Sequence, residues 1–253
     1  MHIKEGERLD DLQLKRLKII QDKNGFCFGI DAVLLANFPS IKKDSIVVDL
    51  GTGTGIIPIL LAGKSRAKKI YGIEIQDEVA DMAKRSVILN NLEDRIQIIN
   101  MDLKSITDKI DKNSVDVVTS NPPYMYSDGL INENDKKAIS RHCIKCDVED
   151  IIKVSSEILK SNGRLYMINR PNRLVDILYF GRKYKLEPKV IKFVHSKSGD
   201  APKFVLIEFK RLAKPEVKIL KPLYIYDDEG SYTDDIREIY STQSLENNTV
   251  MSK

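Results

Sequence analysis

Apolar and polar positions along this chain fall into blocks that read as strand, turn and helix in repetition. The clearest block opens with Ser45-Ile46-Val47-Val48-Asp49-Leu50, an apolar run that suits a strand buried on both faces. Gly51-Thr52-Gly53-Thr54-Gly55 interrupts it, and residues 56–62 resume as a helix. A second strand over 69–75 precedes a helix over 77–90 with Val79, Met82, Ala83, Val87 and Ile88 on one side. A third strand spans 95–101. A fourth, Val115-Asp116-Val117-Val118-Thr119, is β-branched at four of five positions. A helix follows over 148–159, closed by Ser161-Asn162-Gly163, and then a strand over 164–168. Residues 171–184 are expected to be helical, with Pro171 in the first turn. Strands are expected over 189–195 and 203–210. Their connection, residues 196–202, is too short for a crossover helix, so the pair should be antiparallel.

The two ends of the chain are patterned less strongly. Residues 1–25 alternate charges with Leu12, Leu14, Leu17, Ile19 and Ile20, which predicts a strand or short hairpin ending at an Asn24-Gly25 turn. Residues 26–38 predict an aromatic-anchored helix with Asp31 as its N-cap and Pro39 as its stop. It is either a plain helix start or a lid over whatever the glycine loop holds. After Pro222, Tyr224-Ile225-Tyr226 suits a strand and residues 232–240 a short helix, and from Ser241 the chain turns polar and is expected to fray.

Strand, glycine turn and helix in alternation describe a doubly wound sheet whose ligand lies at the carboxyl edge. The glycine loop lacks the dinucleotide register, since a third glycine would have to stand at Ile56 or Pro58. No Lys-Ser/Thr pair follows it, so it is not a triphosphate loop. Glu74, at the tip of the second strand, is placed to accept both hydroxyls of a ribose. Asp102, after the third, could accept an adenine amino group or merely shape a turn. The fourth strand runs into Ser120-Asn121-Pro122-Pro123-Tyr124. Two prolines cannot donate ladder hydrogen bonds, so the chain leaves the sheet there as a stiff turn. It carries an amide side chain, the Pro122 carbonyl and one aromatic ring. Two acceptors and a flat apolar face are what is needed to hold a planar NH2 group, which points to methyl transfer onto a conjugated nitrogen.

Composition narrows the classes. In 253 residues with 42% hydrophobic content the chain can bury a full core. No apolar run approaches the roughly 20 residues that span a bilayer, and the charged start lacks a signal-peptide pattern, so a cytoplasmic location is expected. Three cysteines argue against a disulfide framework. Cys143-x-x-Cys146 beside His142 would need further metal ligands, and Cys27, His2 and His195 are not at finger-like spacing, so no metal is expected. Net charge is +4, yet residues 161–221 hold 15 Lys/Arg against 5 Asp/Glu. That block is either a polyanion-binding surface or a solvated lysine-rich face.

Taken together, residues 20–210 resemble the class I S-adenosylmethionine-dependent methyltransferases, specifically those with an N-P-P-Y motif that act on amino groups. The resemblance implies an α/β, Rossmann-like fold with a seven-stranded, mostly parallel sheet and helices on both faces. Its strand order would be three-two-one-four-five-seven-six, the last strand antiparallel. It implies S-adenosyl-L-methionine as cofactor, bound by Phe28, Asp31, Asp49, Gly51, Thr52, Gly53, Gly55, Glu74, Ile75, Asp102, Leu103 and Asn121. Asn121, Pro122, Pro123 and Tyr124 would receive the acceptor amine. Three further stretches, residues 26–38, 139–142 and 222–226 with Tyr232-Thr233, resemble the bacterial subgroup that methylates N6 of the adenine 3′ to the anticodon of valine tRNA. The partner implied is the anticodon stem-loop of a tRNA, gripped by Tyr126, Arg141, His142, Arg170, Lys197 and Lys203. Cys143 is a departure, because relatives tend to carry a glutamate there. The expected organisation is one methyltransferase domain over 1–240, acting as a monomer. It comprises an N-terminal cap (1–40), a core (41–212), a C-terminal extension (213–240) and a flexible tail (241–253).

Two rivals share parts of this pattern. The same N-P-P-Y turn serves glutamine methylation of peptide release factors, but that family usually carries a sizeable helical domain before the glycine loop, whereas 48 residues precede Asp49 here. A non-catalytic RNA-binding protein on the same fold would not need the intact Gly51, Gly53, Gly55, Glu74 and Asp102. An α/β scaffold with an incidental Pro-Pro turn leaves four edge motifs unexplained.

Overall fold

The computed structural model describes residues 3–23, 29–124 and 147–241. The N-terminal hairpin is β1 (Glu7–Asp11) with β2 (Lys18–Asp22), followed by α1 (Ile30–Asn37). The alternating core then runs β3 (Ile46–Leu50), α2 (Ile56–Lys64), β4 (Lys69–Glu74), α3 (Asp77–Leu89) and β5 (Ile96–Asn100). A 3-10 turn (Leu103–Asp108) leads to β6 (Val115–Ser120), and α4 (Val148–Ile158) to β7 (Leu159–Asn169). The chain continues through α5 (Leu174–Lys183), β8 (Leu186–His195), β9 (Pro202–Arg211), β10 (Lys218–Ile219), β11 (Leu223–Tyr224) and α6 (Asp234–Ser241).

Seven strands lie in the order β5-β4-β3-β6-β7-β9-β8, the order expected, and β9 is antiparallel to both its neighbours. The short β10 and β11 pair in parallel with β8 and cover its outer edge. Successive residues of the central strands face opposite cores. Val47, Ile70, Val117, Tyr166 and Ile168 join α1, α2 and α3, while Val48, Ile73, Val118, Leu165 and Met167 join α4 and α5. Burial on both sides is why these strands read as unbroken apolar runs. Among the described residues, no helix is long and apolar enough to cross a membrane.

The hairpin sits on α3. The Ile20 amide donates to Ser86 Oγ at 3.0 Å, Lys18 N donates to Asn90 Oδ1 at 2.9 Å, and Glu7 pairs with Arg85. The arginine holds the Glu7 carboxyl below its usual range. Its turn lies at residues 12–17, where Gln13, Lys15 and Arg16 adopt positive φ, and the expected Asn24-Gly25 turn falls outside the described residues.

Two local expectations need correction. Asp31 is not the cap of α1. Gly29 takes that place with extended backbone, and Asp31 lies inside the first turn, its carboxylate drawn to partners across the molecule. Ser161-Asn162-Gly163 does not end α4 either. Leu159 is already extended, and those three residues form an irregularity within β7, where pairing to β6 jumps from Val115↔Leu159 to Val117↔Arg164. Asn162 at φ 64° supplies the kink.

Candidate active site

Parallel pairing brings the motif-bearing strand ends to one edge. Leu50 is level with Ile73 on β4 and with Ser120 on β6, and Glu74 is level with Asn100 on β5. The glycine loop, the Glu74 tip, the Asp102 tip and the Asn121 turn therefore leave the sheet side by side. Because β9 runs antiparallel to β7, its first residues and the last of β8 reach the same edge.

On the β3 side, Gly51 and Gly53 take φ of 71° and 57°, and a Cβ added at either would meet nothing within 4 Å. The left-handed backbone and the open space beside it let a ligand approach the main chain closely, while the Gly51 and Thr52 amides donate to the Ile73 carbonyl at 3.0 and 2.9 Å and brace the loop against β4. Gly55 serves packing instead, since its Cβ would lie 3.3 Å from that of Ala83 on α3. Glu74, almost fully buried, ties two loops together. Its Oε2 accepts from the Gly53 amide at 3.0 Å and its Oε1 from the Gln76 amide at 2.9 Å. Gln76 Nε2 also reaches Oε1 at 3.4 Å, so Oε2 is the oxygen better placed to accept from a hydroxyl donor. Ile75 beside it is half-buried.

Asp49 is fully buried, and Thr119 Oγ1 donates to its Oδ1 at 2.6 Å. Burial raises its pKa from 3.8 to about 7, against the Thr119 and Thr52 hydroxyls, which favour the charged form, while Glu74 adds a smaller upward push. Asp49 Oδ2 and Thr52 Oγ1 are both buried without a well-formed hydrogen bond. Orphaned polar atoms beside an open glycine cradle, with the buried Glu74 carboxylate at the tip of the adjacent strand, fit a polar ligand with an ammonium or amide end and a ribose. Asp102 caps the 3-10 turn, its Oδ1 accepting from the Lys104 amide at 2.9 Å, and the buried Leu103 follows it.

On the β6 side, Ser120 Oγ donates to the Leu50 carbonyl at 2.9 Å, fastening the proline turn to the strand that bears the glycine loop. Pro122 is buried and Pro123 exposed, and Asn121 and Tyr124 are half-buried. Three side chains then close on each other. Asn121 Nδ2 donates to Asp31 Oδ2 at 3.1 Å, and the Tyr124 hydroxyl lies 2.8 Å from both Asp31 Oδ2 and Asn121 Oδ1. Asp31 is only 5% exposed. Because a carboxylate only accepts, the amide must turn its nitrogen toward Asp31, which fixes the position of its oxygen.

Arg170, just past β7, joins the same cluster. Its guanidinium carbon lies 4.8 Å from the ring centroids of both Tyr124 and Phe204, and those rings are 5.8 Å apart. Lys203 Nζ stands 5.6 Å from the Phe204 ring, and Lys197 occupies the β8–β9 turn. The structure thus gathers Asp31, Asp49, Gly51, Thr52, Gly53, Glu74, Asp102, Asn121, Tyr124, Arg170 and Lys203 at one edge. Phe28, Tyr126, Arg141, His142, Cys27, Cys143 and Cys146 lie outside the described residues. Among the described residues, no three His, Cys, Asp or Glu side chains stand together as a metal site.

Sequence reasoning missed Phe204, Thr119 and the grip of Asp31 on the proline turn. The two hydroxyls of Thr119-Ser120 at the end of an apolar strand were a usable signal. Nothing in the spacing linked residue 31 to residues 121 and 124.

The family model of the methyltransferase small domain matches residues 19–178. A tRNA1(Val) (adenine(37)-N6)-methyltransferase of Porphyromonas gingivalis is 30% identical over 207 residues, covering 79% of this chain and 81% of that one. One of the same name from Bacteroides fragilis is 27% identical over 230 residues, covering 90% and 96%. Among solved structures, a "predicted O-methyltransferase" of Agrobacterium tumefaciens superposes with a TM-score of 0.70 at 21% identity, over 84% of this chain and 96% of that one. TYW2 of M. jannaschii in complex with AdoMet gives 0.56 at 16% identity, over 83% and 88%. At such identities the two structures establish the fold alone.

Proposed function

The chain belongs to the methyltransferase small domain family, and we propose that it methylates the exocyclic N6 of an adenine in tRNA, namely the adenine 3′ to the anticodon of valine tRNA. It is an enzyme, and its cofactor is S-adenosyl-L-methionine. The acceptor is supported by the names of relatives that align over most of both chains, at 27–30% identity. The observation that carries the proposal is the register of β3 with β6, which sets the Asn121 turn directly beside the glycine loop.

S-adenosylmethionine, when bound, supplies a methyl group on a positively charged sulfur that departs with its bonding pair. In this reading Asp49 and the 51–55 loop hold its methionine part, Glu74 and Ile75 the ribose, and Asp102 and Leu103 the adenine. The acceptor's difficulty is that the amine lone pair is delocalised into the purine. Asn121 Oδ1 and the Pro122 carbonyl accept the two amine hydrogens and so draw that pair out of the ring and toward the methyl. The nitrogen forms its new bond first and sheds a proton afterwards, so no strong base is required. Positioning and this electrostatic help supply the rate. Tyr124 offers its ring to the base, which must be unpaired to reach it, and anticodon loops already splay their bases. Arg170 waits at that ring, and Lys197 and Lys203 face the flanking phosphates.

The test supplies radiolabelled cofactor with bulk tRNA, ribosomal RNA and release factor in parallel, followed by nucleoside analysis. Label recovered as N6-methyladenosine in one tRNA species is the expected result. Label on release-factor glutamine alone would overturn the reading.

A further inference from the structure

Asp31 is expected from sequence to cap a helix or touch the cofactor; Gly29 takes the cap position, and the Asp31 carboxylate reaches across the fold. Its carboxylate is buried, and Oδ2 receives both Asn121 Nδ2 at 3.1 Å and the Tyr124 hydroxyl at 2.8 Å, across 90 and 93 residues of chain. Its Oδ1 accepts from the Ala32 amide at 3.0 Å, so the carboxylate is anchored to α1 from its other side. A side chain at residue 29 would reach within 2.7 Å of that oxygen, which keeps the approach to the carboxylate free only for glycine. Burying a carboxylate is costly unless it is paired or hydrogen-bonded, and here two of its three donors belong to the N-P-P-Y turn.

We infer that Asp31 is a positioning residue for methyl transfer, acting on the acceptor amine through the Asn121 amide. The inference rests on the proposed role of Asn121. Two effects follow from the geometry. Holding Nδ2 forbids the flipped amide, which would present N–H donors to an amine that itself needs acceptors. A carboxylate on the amide N–H also polarises the amide, shifting electron density to Oδ1 and strengthening it as an acceptor, since hydrogen bonds in series reinforce each other. As N6 takes on positive charge, a negative carboxylate one amide group away favours that state. Tyr124 has one hydroxyl proton and two acceptors for it, Asp31 Oδ2 and Asn121 Oδ1. The tyrosine therefore locks the pair while leaving Oδ1 a lone pair for the substrate.

The experiment compares wild type with Asp31→Asn, Tyr124→Phe and the double variant. Three quantities are measured: cofactor affinity by titration, the single-turnover methylation rate at saturating cofactor, and the Asn121 side-chain amide resonances. Asp31→Asn should slow the single turnover about 10–100-fold, leave cofactor affinity within about threefold, and shift or broaden the Asn121 amide signals. The double variant should lose less than the product of the single losses, because both substitutions break one network. A cofactor affinity weakened tenfold or more with an unchanged saturated rate would make Asp31 a cofactor ligand and overturn the inference, as would an unmoved Asn121 signal. Should Asp31→Asn fail to fold, Tyr124→Phe, which removes only a hydroxyl, must still shift the Asn121 resonances. If wild type makes no N6-methyladenosine in tRNA, the acceptor reading fails, and the resonance and titration results still judge Asp31.

Discussion

The two halves of the cleft are built by different means. On the side proposed for the cofactor stand glycines in left-handed conformations and carboxylates at the ends of neighbouring strands, with Glu74 reaching Gly53 across 21 residues and Gln76 across two. On the side proposed for the acceptor, the Asn121 amide is held by Asp31 of α1, 90 residues earlier, and the Tyr124 ring packs on Phe204 of β9, about 80 residues later. The first half is a local motif that a parallel sheet carries to its edge. The second exists only when three distant segments meet. A single substitution should therefore fail differently on the two sides: cofactor-side changes should appear in affinity and acceptor-side changes in rate.

The largest effect should come from the acceptor side. Asn121→Ala is expected to reduce single-turnover methylation by about 10³-fold or more while cofactor affinity stays within about twofold. Rapid-quench kinetics beside a cofactor titration reads both, and an unaltered rate would remove Asn121 from the chemistry. The opposite signature belongs to Gly51→Val. A branched residue at φ 71° is strained, and its side chain fills the open space in front of the loop, so cofactor affinity should fall about 100-fold. Retained affinity would mean that the cofactor lies elsewhere.

A smaller effect separates structure from chemistry. Burial raises the Asp49 pKa from 3.8 to about 7, above its value in the unfolded chain. Between those values the folded chain keeps a proton that the unfolded chain has lost, so stability falls as pH rises through that window. Above it, the folded protein carries the full cost of a buried carboxylate. Asp49→Asn removes that slope. Without cofactor its melting temperature should exceed wild type by about 3–6 °C near pH 8, the gap closing toward pH 4. A gap independent of pH would show that Asp49 does not titrate in this way.

The smallest predicted change is at the rim. Lys197→Ala should weaken tRNA binding evenly across sequences and lower the salt dependence by about one counterion. Binding measured at several salt concentrations tests this, and an unchanged slope would exclude Lys197 from the phosphate path.

Much of the fold was legible because the sheet is buried on both faces. The runs at 46–50, 69–74, 96–100 and 115–120 could be strands on periodicity alone, and the short 196–201 link forced an antiparallel pair. Boundaries were less legible where a polar triplet mimicked a helix stop. Asn162 and Gly163 supply a kink inside β7, and the chain behaves so because β6 offers pairing that local propensity cannot foresee.

By itself, then, the chain's residue order determined the alternating strands, the glycine cradle, the acids Glu74 and Asp102 after the second and third core strands and the rigid proline exit, because all of these follow from steric and hydrogen-bonding limits acting over a few residues. Only the folded structure decided that Asp31, inside the first turn of α1, would hold Asn121 and Tyr124, and that Arg170 would settle against both Tyr124 and Phe204. Such contacts depend on which strand edges and helix ends packing brings together, and that information is spread over the whole core rather than written in any one stretch.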